Sequence, residues 1–283
     1  MSRSGFSRVL LAVLALGSFG VGGCGGGKAP TKVVVTGSST VAPLISEIAG
    51  RFETDNPGVR IDVQTGGSSR GLADVRQGLA QIGMVSRSPK PGEGDVTWHP
   101  IARDGLAMIV HAENPARSIT EEQVRAIYRG EVETWVEVRR TETESKTITD
   151  RITVVSKAEG RSTLEVFLDH FDLEPPEIAA DVITGDNQQG IKTVAGNPQA
   201  IAYVSIGAAE FEARRGGPIR LLELGGVAAS TEAVRGGRYP VARTLHLVTA
   251  GEPEGWVRAF LEYCRSSAAA DLVEGQFFVP LAG

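Results

Sequence analysis

The chain reads as an α/β protein. Short segments rich in Val and Ile alternate with segments of helical periodicity, and the junctions between them are built from Gly, Ser and Thr. With 283 residues, 41% hydrophobic and 22% charged, the chain is long enough for two modest domains or one large one, and it is too apolar to be disordered. In order, Val33 to Thr36 is expected to be a strand, Val41 to Phe52 a helix, Arg60 to Thr65 a strand and Leu72 to Leu79 a helix. Gln81 to Val85 and Leu106 to Val110 are strands, and Thr120 to Tyr128 is a helix capped by Thr120 or Ser118. Glu131 to Arg151 is polar and charge-rich, the composition of an exposed loop. A second block follows: strand Ile152 to Ser156, helix Leu164 to His170, strand Asp181 to Thr184, helix Ile191 to Ala195 and strand Ala200 to Val204. Thr244 to Thr249, a helix around Trp256 and a Phe277-Phe278-Val279 strand complete the chain.

The N-terminus has the pattern of a secretory signal. Arg3 and Arg8 precede an apolar run from Val9 to Leu16, and a small-residue stretch ends at Cys24. Val21-Gly22-Gly23-Cys24 resembles a bacterial lipobox, so Cys24 is the expected lipidation site, residues 1–23 the signal peptide and 24–31 a flexible tether. The other reading is an ordinary signal peptide with Cys24 pairing with Cys264. Cys264 recurs with Trp256, Phe260 and Tyr263 at helical spacing, which predicts a buried thiol. Loss of residues 1–23 removes two arginines and no acid, moving the formal charge from −5 to about −7. That acidic balance argues against nucleic acid as a partner. After the signal region no apolar stretch approaches the length that spans a membrane.

The chemistry lies between strands and helices. Gly37-Ser38-Ser39-Thr40 ends the first strand and opens the first helix, aiming backbone N–H groups and three hydroxyls at one spot. Gly66-Gly67-Ser68-Ser69-Arg70-Gly71 repeats the arrangement after the second strand, Glu159-Gly160-Arg161-Ser162-Thr163 repeats it in the second block, and Asn187-Gln188-Gln189-Gly190 is a weaker fourth. Each alone is ordinary capping and turn material. Together they supply the donors to surround a small oxyanion without net positive charge.

Gly67-Ser68-Ser69-Arg70-Gly71 also has the G-x-S-x-G form of a nucleophile elbow. A serine hydrolase using Ser69 would draw its base from His99, His111, His170 or His246, with Asp172 or Asp186 as orienting acid. The elbow comes after only two strands, and that reading leaves the matching nests unexplained. Walker-type, Cys-x-x-Cys and paired-histidine patterns are absent, so neither a cofactor nor a metal is expected. Trp98, Trp135, Trp256 and Tyr203 are read as packing residues.

Thr36 to Leu44, Gly66 to Gly71 and Gln81 to Arg87 resemble, in content and order, the phosphate-binding proteins of bacterial phosphate ABC transporters, a PstS-like family of periplasmic substrate-binding lipoproteins. Arg103 to Val110, Ile127 to Gly130 with Trp135, Val154 to Lys157 and Asn197 to Val204 continue the resemblance. It implies a type II periplasmic-binding-protein fold, two α/β lobes joined by crossover strands with a ligand cleft between them. Lobe 1 would be 32–110 plus 244–283, and lobe 2 would be 111–243. The implied function is an extracytoplasmic receptor that captures inorganic phosphate and delivers it to ABC permease subunits. It would be a monomer without enzymatic activity. Sulfate, arsenate, or a sensor or scaffold role are the alternatives. Carried over by motif, the ligand-binding residues are Ser38, Ser39, Thr40, Ser68, Ser69, Ser86, Arg87, Arg161, Ser162 and Thr163. The chain departs from the family twice. Arg161 replaces a hydroxyl of a Gly-Ser-Gly-Thr motif and could clamp an oxyanion. Ser86-Arg87 stands where an aspartate accepts the ligand's proton in the better-known branch, so Asp104 is the expected acceptor or the partner of Arg87. Gln81, acidic in many relatives, is expected to be structural.

Overall fold

The computed structural model describes residues 29–138 and 151–281. The signal region and Cys24, and most of the charge-rich segment after Val138, lie outside them.

Alternating valines start the fold. Val33 and Val35 of β1 (Thr31–Gly37) are buried, while β2 (Val59–Thr65) and β3 (Ile82–Val85) flank it on either side in parallel. Between them α1 (Ala42–Asp55) buries Leu44, Ile45, Ile48 and Phe52 at helical spacing, and α2 (Ser68–Arg76) buries Leu72 and Val75. The chain then runs into β4 (Thr97–His111), a strand of 15 residues. β5 (Ser118–Ile119), α3 (Glu121–Tyr128) and α4 (Trp135–Val138) follow. Thr120 caps α3 in a reciprocal pair: its hydroxyl accepts from the Gln123 N–H at 3.2 Å and its own N–H donates to Gln123 Oε1 at 2.8 Å. The segment expected to be an exposed loop thus contains a short helix whose Trp135 is fully buried.

The second block comprises β6 (Thr153–Lys157), α5 (Ser162–Phe171), β7 (Val182–Thr184), α6 (Asn187–Ala195) and β8 (Ala200–Ser205). α7 (Ile206–Arg214), β9 (Ile219–Leu221), β10 (Glu223–Leu224) and α8 (Thr231–Arg235), none of them read from the sequence, lead to β11 (Ala242–Thr249). The chain finishes with α9 (Gly255–Arg265), α10 (Ala270–Gly275) and β12 (Val279–Pro280). The expected Phe277-Phe278-Val279 strand begins only at Val279, because Phe277 is in the left-handed region with φ 55°.

The strand order is β2-β1-β3-β11-β4-β8-β6-β7. β4 is the seam. Through Gly105 it pairs antiparallel with β11, and from Leu106 it pairs antiparallel with β8. Two main cores lie on either side. One gathers residues from Val33 to Ala102 and from Leu245 to Phe278, including an edge-to-face contact of Phe52 with Phe260. The other gathers residues from Leu106 to Val241, with Val279 joining from the C-terminus. The molecule is therefore two α/β lobes joined by crossover strands. Cys264 packs in the first core as a free, buried thiol, and burial pushes its pKa up.

Candidate functional site

The loops after β1, β2 and β6 end in helices whose N-termini point into the cleft between the lobes. Gly37, at φ 132°, lets the chain leave β1 beside β3, where a Cβ would stand 2.4 Å from the Met84 carbonyl oxygen. The Ser38 N–H donates to that same carbonyl oxygen at 2.9 Å. The Ser38 hydroxyl accepts from the Thr40 N–H at 3.2 Å and donates to the Ser86 hydroxyl at 2.9 Å. The Ser68 hydroxyl in turn accepts from the Ser86 N–H at 3.3 Å. Four predicted residues from three loops of one lobe are thus wired to one another, and the Ser86 hydroxyl proton is left to point outward.

Opposite them stands the start of α5. Ser162 is buried and its hydroxyl has no hydrogen-bond partner. Thr163 Oγ1 accepts from Arg243 Nη1 at 3.2 Å, which leaves its own proton to donate. Arg161 is the residue before the first turn, and among the described residues its guanidinium makes no hydrogen bond or ion pair. Together Ser38, Ser39, Thr40, Gly67, Ser68, Ser86, Arg161, Ser162 and Thr163 line a small cavity at the cleft. The donors outnumber the acceptors, and three helix N-termini add partial positive charge. Such a cavity can hold a small oxyanion.

Three predicted residues are not in this lining. Ser69 is exposed on the rim, and its N–H donates to the Gly160 carbonyl oxygen across the cleft at 3.3 Å. Arg87 is buried with its guanidinium turned away: Glu93 receives two hydrogen bonds of 2.8 Å, Glu165 pairs with Nε at 2.9 Å, and Trp98 lies 5.9 Å from Cζ. Asp104 pairs with Arg243 and not with Arg87. Its Oδ2 accepts from Arg243 Nε at 3.1 Å and Nη2 at 2.8 Å, while Oδ1 accepts from the Gly207 N–H at 3.3 Å. Both side chains are almost completely buried, and the antiparallel register of β11 on β4 sets them side by side. Gln81 is structural: its Oε1 accepts from the Val34 N–H at 2.8 Å.

Arg243 and Lys157 are the functional candidates that sequence reasoning missed, and Asn187, which opens the weaker fourth nest, joins them at the cleft. Arg243 links Asp104 to Thr163, and Asn187, at the start of α6, donates to Thr40 Oγ1 across the cleft at 3.1 Å. Lys157 is buried at the end of β6, donating to Thr184 Oγ1 at 3.1 Å and the Asp186 carbonyl oxygen at 2.7 Å. Burial lowers its pKa to about 7; the Asp186 charge opposes this, and the charges of Arg161 and Arg243 add to it.

The hydrolase constellation does not assemble around Ser69. His246 Nδ1 bonds with the Arg87 carbonyl oxygen, His170 Nε2 with Glu121 and His99 Nε2 with Thr249, while His111 Nδ1 accepts from the Glu113 N–H. Asp186 caps α6 through Gln189. Among the described residues no group of three or more His, Cys, Asp or Glu could hold a metal ion, and no helix is long and apolar enough to cross a membrane.

Two lobes with their donors gathered at the cleft between them define a binding protein whose ligand is held by both halves. The model of the PBP superfamily domain matches residues 25–268, and the chain belongs to that superfamily. Within it, the chain is 28% identical over 260 residues to the phosphate-binding protein PstS of Bacillus subtilis, covering 90% of this chain and 82% of that one. A phosphate ABC transporter substrate-binding protein from Clostridium perfringens, solved with bound phosphate, superposes with a TM-score of 0.81 at 27% identity, covering 89% of this chain and all of the other. An ABC-type phosphate transport receptor from Vibrio cholerae shares the fold, with a TM-score of 0.71 at 21% identity over 88% of this chain and all of that one.

Proposed function

We propose that this chain is the extracytoplasmic receptor of an ABC transporter: it captures inorganic phosphate between its lobes and presents it to the permease. The observation that carries the reading is the cavity itself, where helix N-termini and hydroxyls from both lobes meet around an unpartnered buried Ser162 hydroxyl and an unpaired Arg161. Its relatives are named for phosphate. Ser39, Thr40, Ser68, Ser86, Ser162 and Thr163 donate to the anion, Ser38 acts through Ser86, whose hydroxyl it orients, and Arg161 supplies charge. Ser69 acts at the rim, and Asp104 acts through Arg243 and Thr163. The lipobox-like segment supports attachment through Cys24, with 24–31 as tether. The protein works as a monomer and performs no covalent chemistry; the engagement of the histidines away from Ser69 supports this. The lobes are 32–110 with 244–283, and 111–243; the change of partner along β4 supports a first crossing a few residues before that boundary.

Calorimetric titration of protein stripped of ligand by unfolding and refolding tests the reading, with phosphate and then sulfate across pH. Phosphate is expected to bind tightly and sulfate weakly, and Arg161→Gln to weaken phosphate roughly ten- to hundredfold, the loss of one charged hydrogen-bond donor. Equal binding of sulfate would overturn the choice of phosphate. Silence with both anions would turn the reading to a sensor or scaffold.

A further inference from the structure

The Arg87 guanidinium, aimed away from the anion cavity, has another use. Glu93, which holds it with two hydrogen bonds, belongs to the same lobe. Glu165 belongs to the other, on the first turn of α5, and forms ion pairs with Arg87 Nε at 2.9 Å, short of hydrogen-bond geometry, and with the Lys90 ammonium. Closed, this cluster holds two cations and two carboxylates and is neutral. With the lobes together the Arg87 side chain is only 6% exposed; moving them apart carries Glu165 away and leaves lobe 1 with one uncompensated positive charge. Separation is therefore opposed by a charge that loses its partner.

The placement in sequence ties this cluster to the ligand. Arg87 directly follows Ser86, and Glu165 stands in the same helical turn as Ser162 and Thr163. Ser86, Ser162 and Thr163 all line the anion cavity. On each side, one rigid piece of backbone carries both an anion donor and a cluster member, so bringing the donors onto the anion also brings Glu165 onto Arg87 and Lys90. We propose that Arg87, Lys90 and Glu165 form an electrostatic latch across the cleft, in which Glu165 is a positioning residue that holds the lobes closed over the bound anion. The latch rests on reading the cavity as an anion site that opens and closes; it does not depend on which anion fills it.

A latch acts on the closed state alone, so it slows release and leaves capture nearly untouched. Stopped-flow measurement with inorganic phosphate on Glu165→Gln is expected to show release accelerated about tenfold, association changed less than twofold and the melting temperature of ligand-free protein unchanged. Raising the salt concentration should accelerate release from the wild type and leave the variant nearly indifferent. Lys90→Met, at a more exposed position, should give a smaller acceleration and keeps the test open if Glu165→Gln folds poorly. If Glu165 serves only the α5 N-terminus, the variant loses ligand-free stability in step with affinity, and the latch is overturned. Unchanged release in both variants overturns it as well. The same release measurement with sulfate separates this from the functional reading. Should the wild type bind sulfate and not phosphate, faster sulfate release in Glu165→Gln than in the wild type still supports the latch, and equal release refutes it; binding of neither anion overturns the latch together with the anion site it rests on.

Discussion

The two walls of the cavity are built on different principles. In lobe 1, Ser38, Thr40, Ser68 and Ser86 are bonded to one another. In lobe 2, among the described residues, the Ser162 hydroxyl has no hydrogen-bond partner and Arg161 makes no ion pair. One wall is a preorganised surface of neutral donors. The other holds unspent hydrogen bonds and positive charge, which become favourable only when an anion fills the space between them. The contrast assigns first contact to lobe 1 and the stabilisation of closure to lobe 2.

The sharpest way to break this contrast is at the junction of the lobes. Asp104→Asn leaves Arg243 buried without its counter-charge, and an expected loss of about 3–5 kcal/mol of unfolding free energy would appear in urea titration. A loss below about 1 kcal/mol would mean that Arg243 finds another partner and belongs with the unspent charges of lobe 2. Lys157 offers the next largest effect. Its folded-state pKa of about 7 lies below its unfolded value, so between about pH 7 and 10 the unfolded chain holds more protons and stability rises with pH. Over that window the gain is on the order of 4 kcal/mol in ligand-free protein. Lys157→Met should flatten that slope and raise the melting temperature near neutrality; a slope that survives would place the titration elsewhere. The smallest effect compares two serines. Ser86→Ala should lower both stability, by about 1 kcal/mol, and phosphate affinity, because its hydroxyl is part of the lobe 1 wiring. Ser162→Ala should lower affinity alone, and the opposite pattern would reverse the roles of the walls.

Much of this was legible in the sequence. The anion-binding loops were found because Gly, Ser and Thr at strand-to-helix junctions have one local meaning, and the main strands were visible as short β-branched runs, while the two- and three-residue β5, β9 and β10 were not. The helices that open with a nest were placed too late in the chain: α2 starts at Ser68 and not Leu72, α5 at Ser162 and not Leu164, α6 at Asn187 and not Ile191. The nest residues themselves form the first turns, and polar first turns carry no hydrophobic periodicity. β4 was read only from Leu106, because Pro100, Arg103 and Asp104 interrupt the apolar pattern of a strand that spans both lobes. Arg243 gave no local signal, since its pairing with Asp104 exists only through the register of two strands far apart in sequence. Arg87 and Asp104 were legible as charged residues near the cleft, and only their partners decide which way each points.

The position of β11 governs the order in which the molecule can come into being. It lies between β3 and β4, in the middle of the first lobe's half of the sheet, yet it is made from residues 242–249, and α9 and α10 of the same core come later still. The second lobe draws nearly all of its core from Leu106 to Val241. As the chain leaves the ribosome, the second lobe has almost its full complement of residues while the first still has a strand-wide gap beside β3. The sheet that supports the mutually bonded serines of lobe 1 is thus the last to be completed in synthesis.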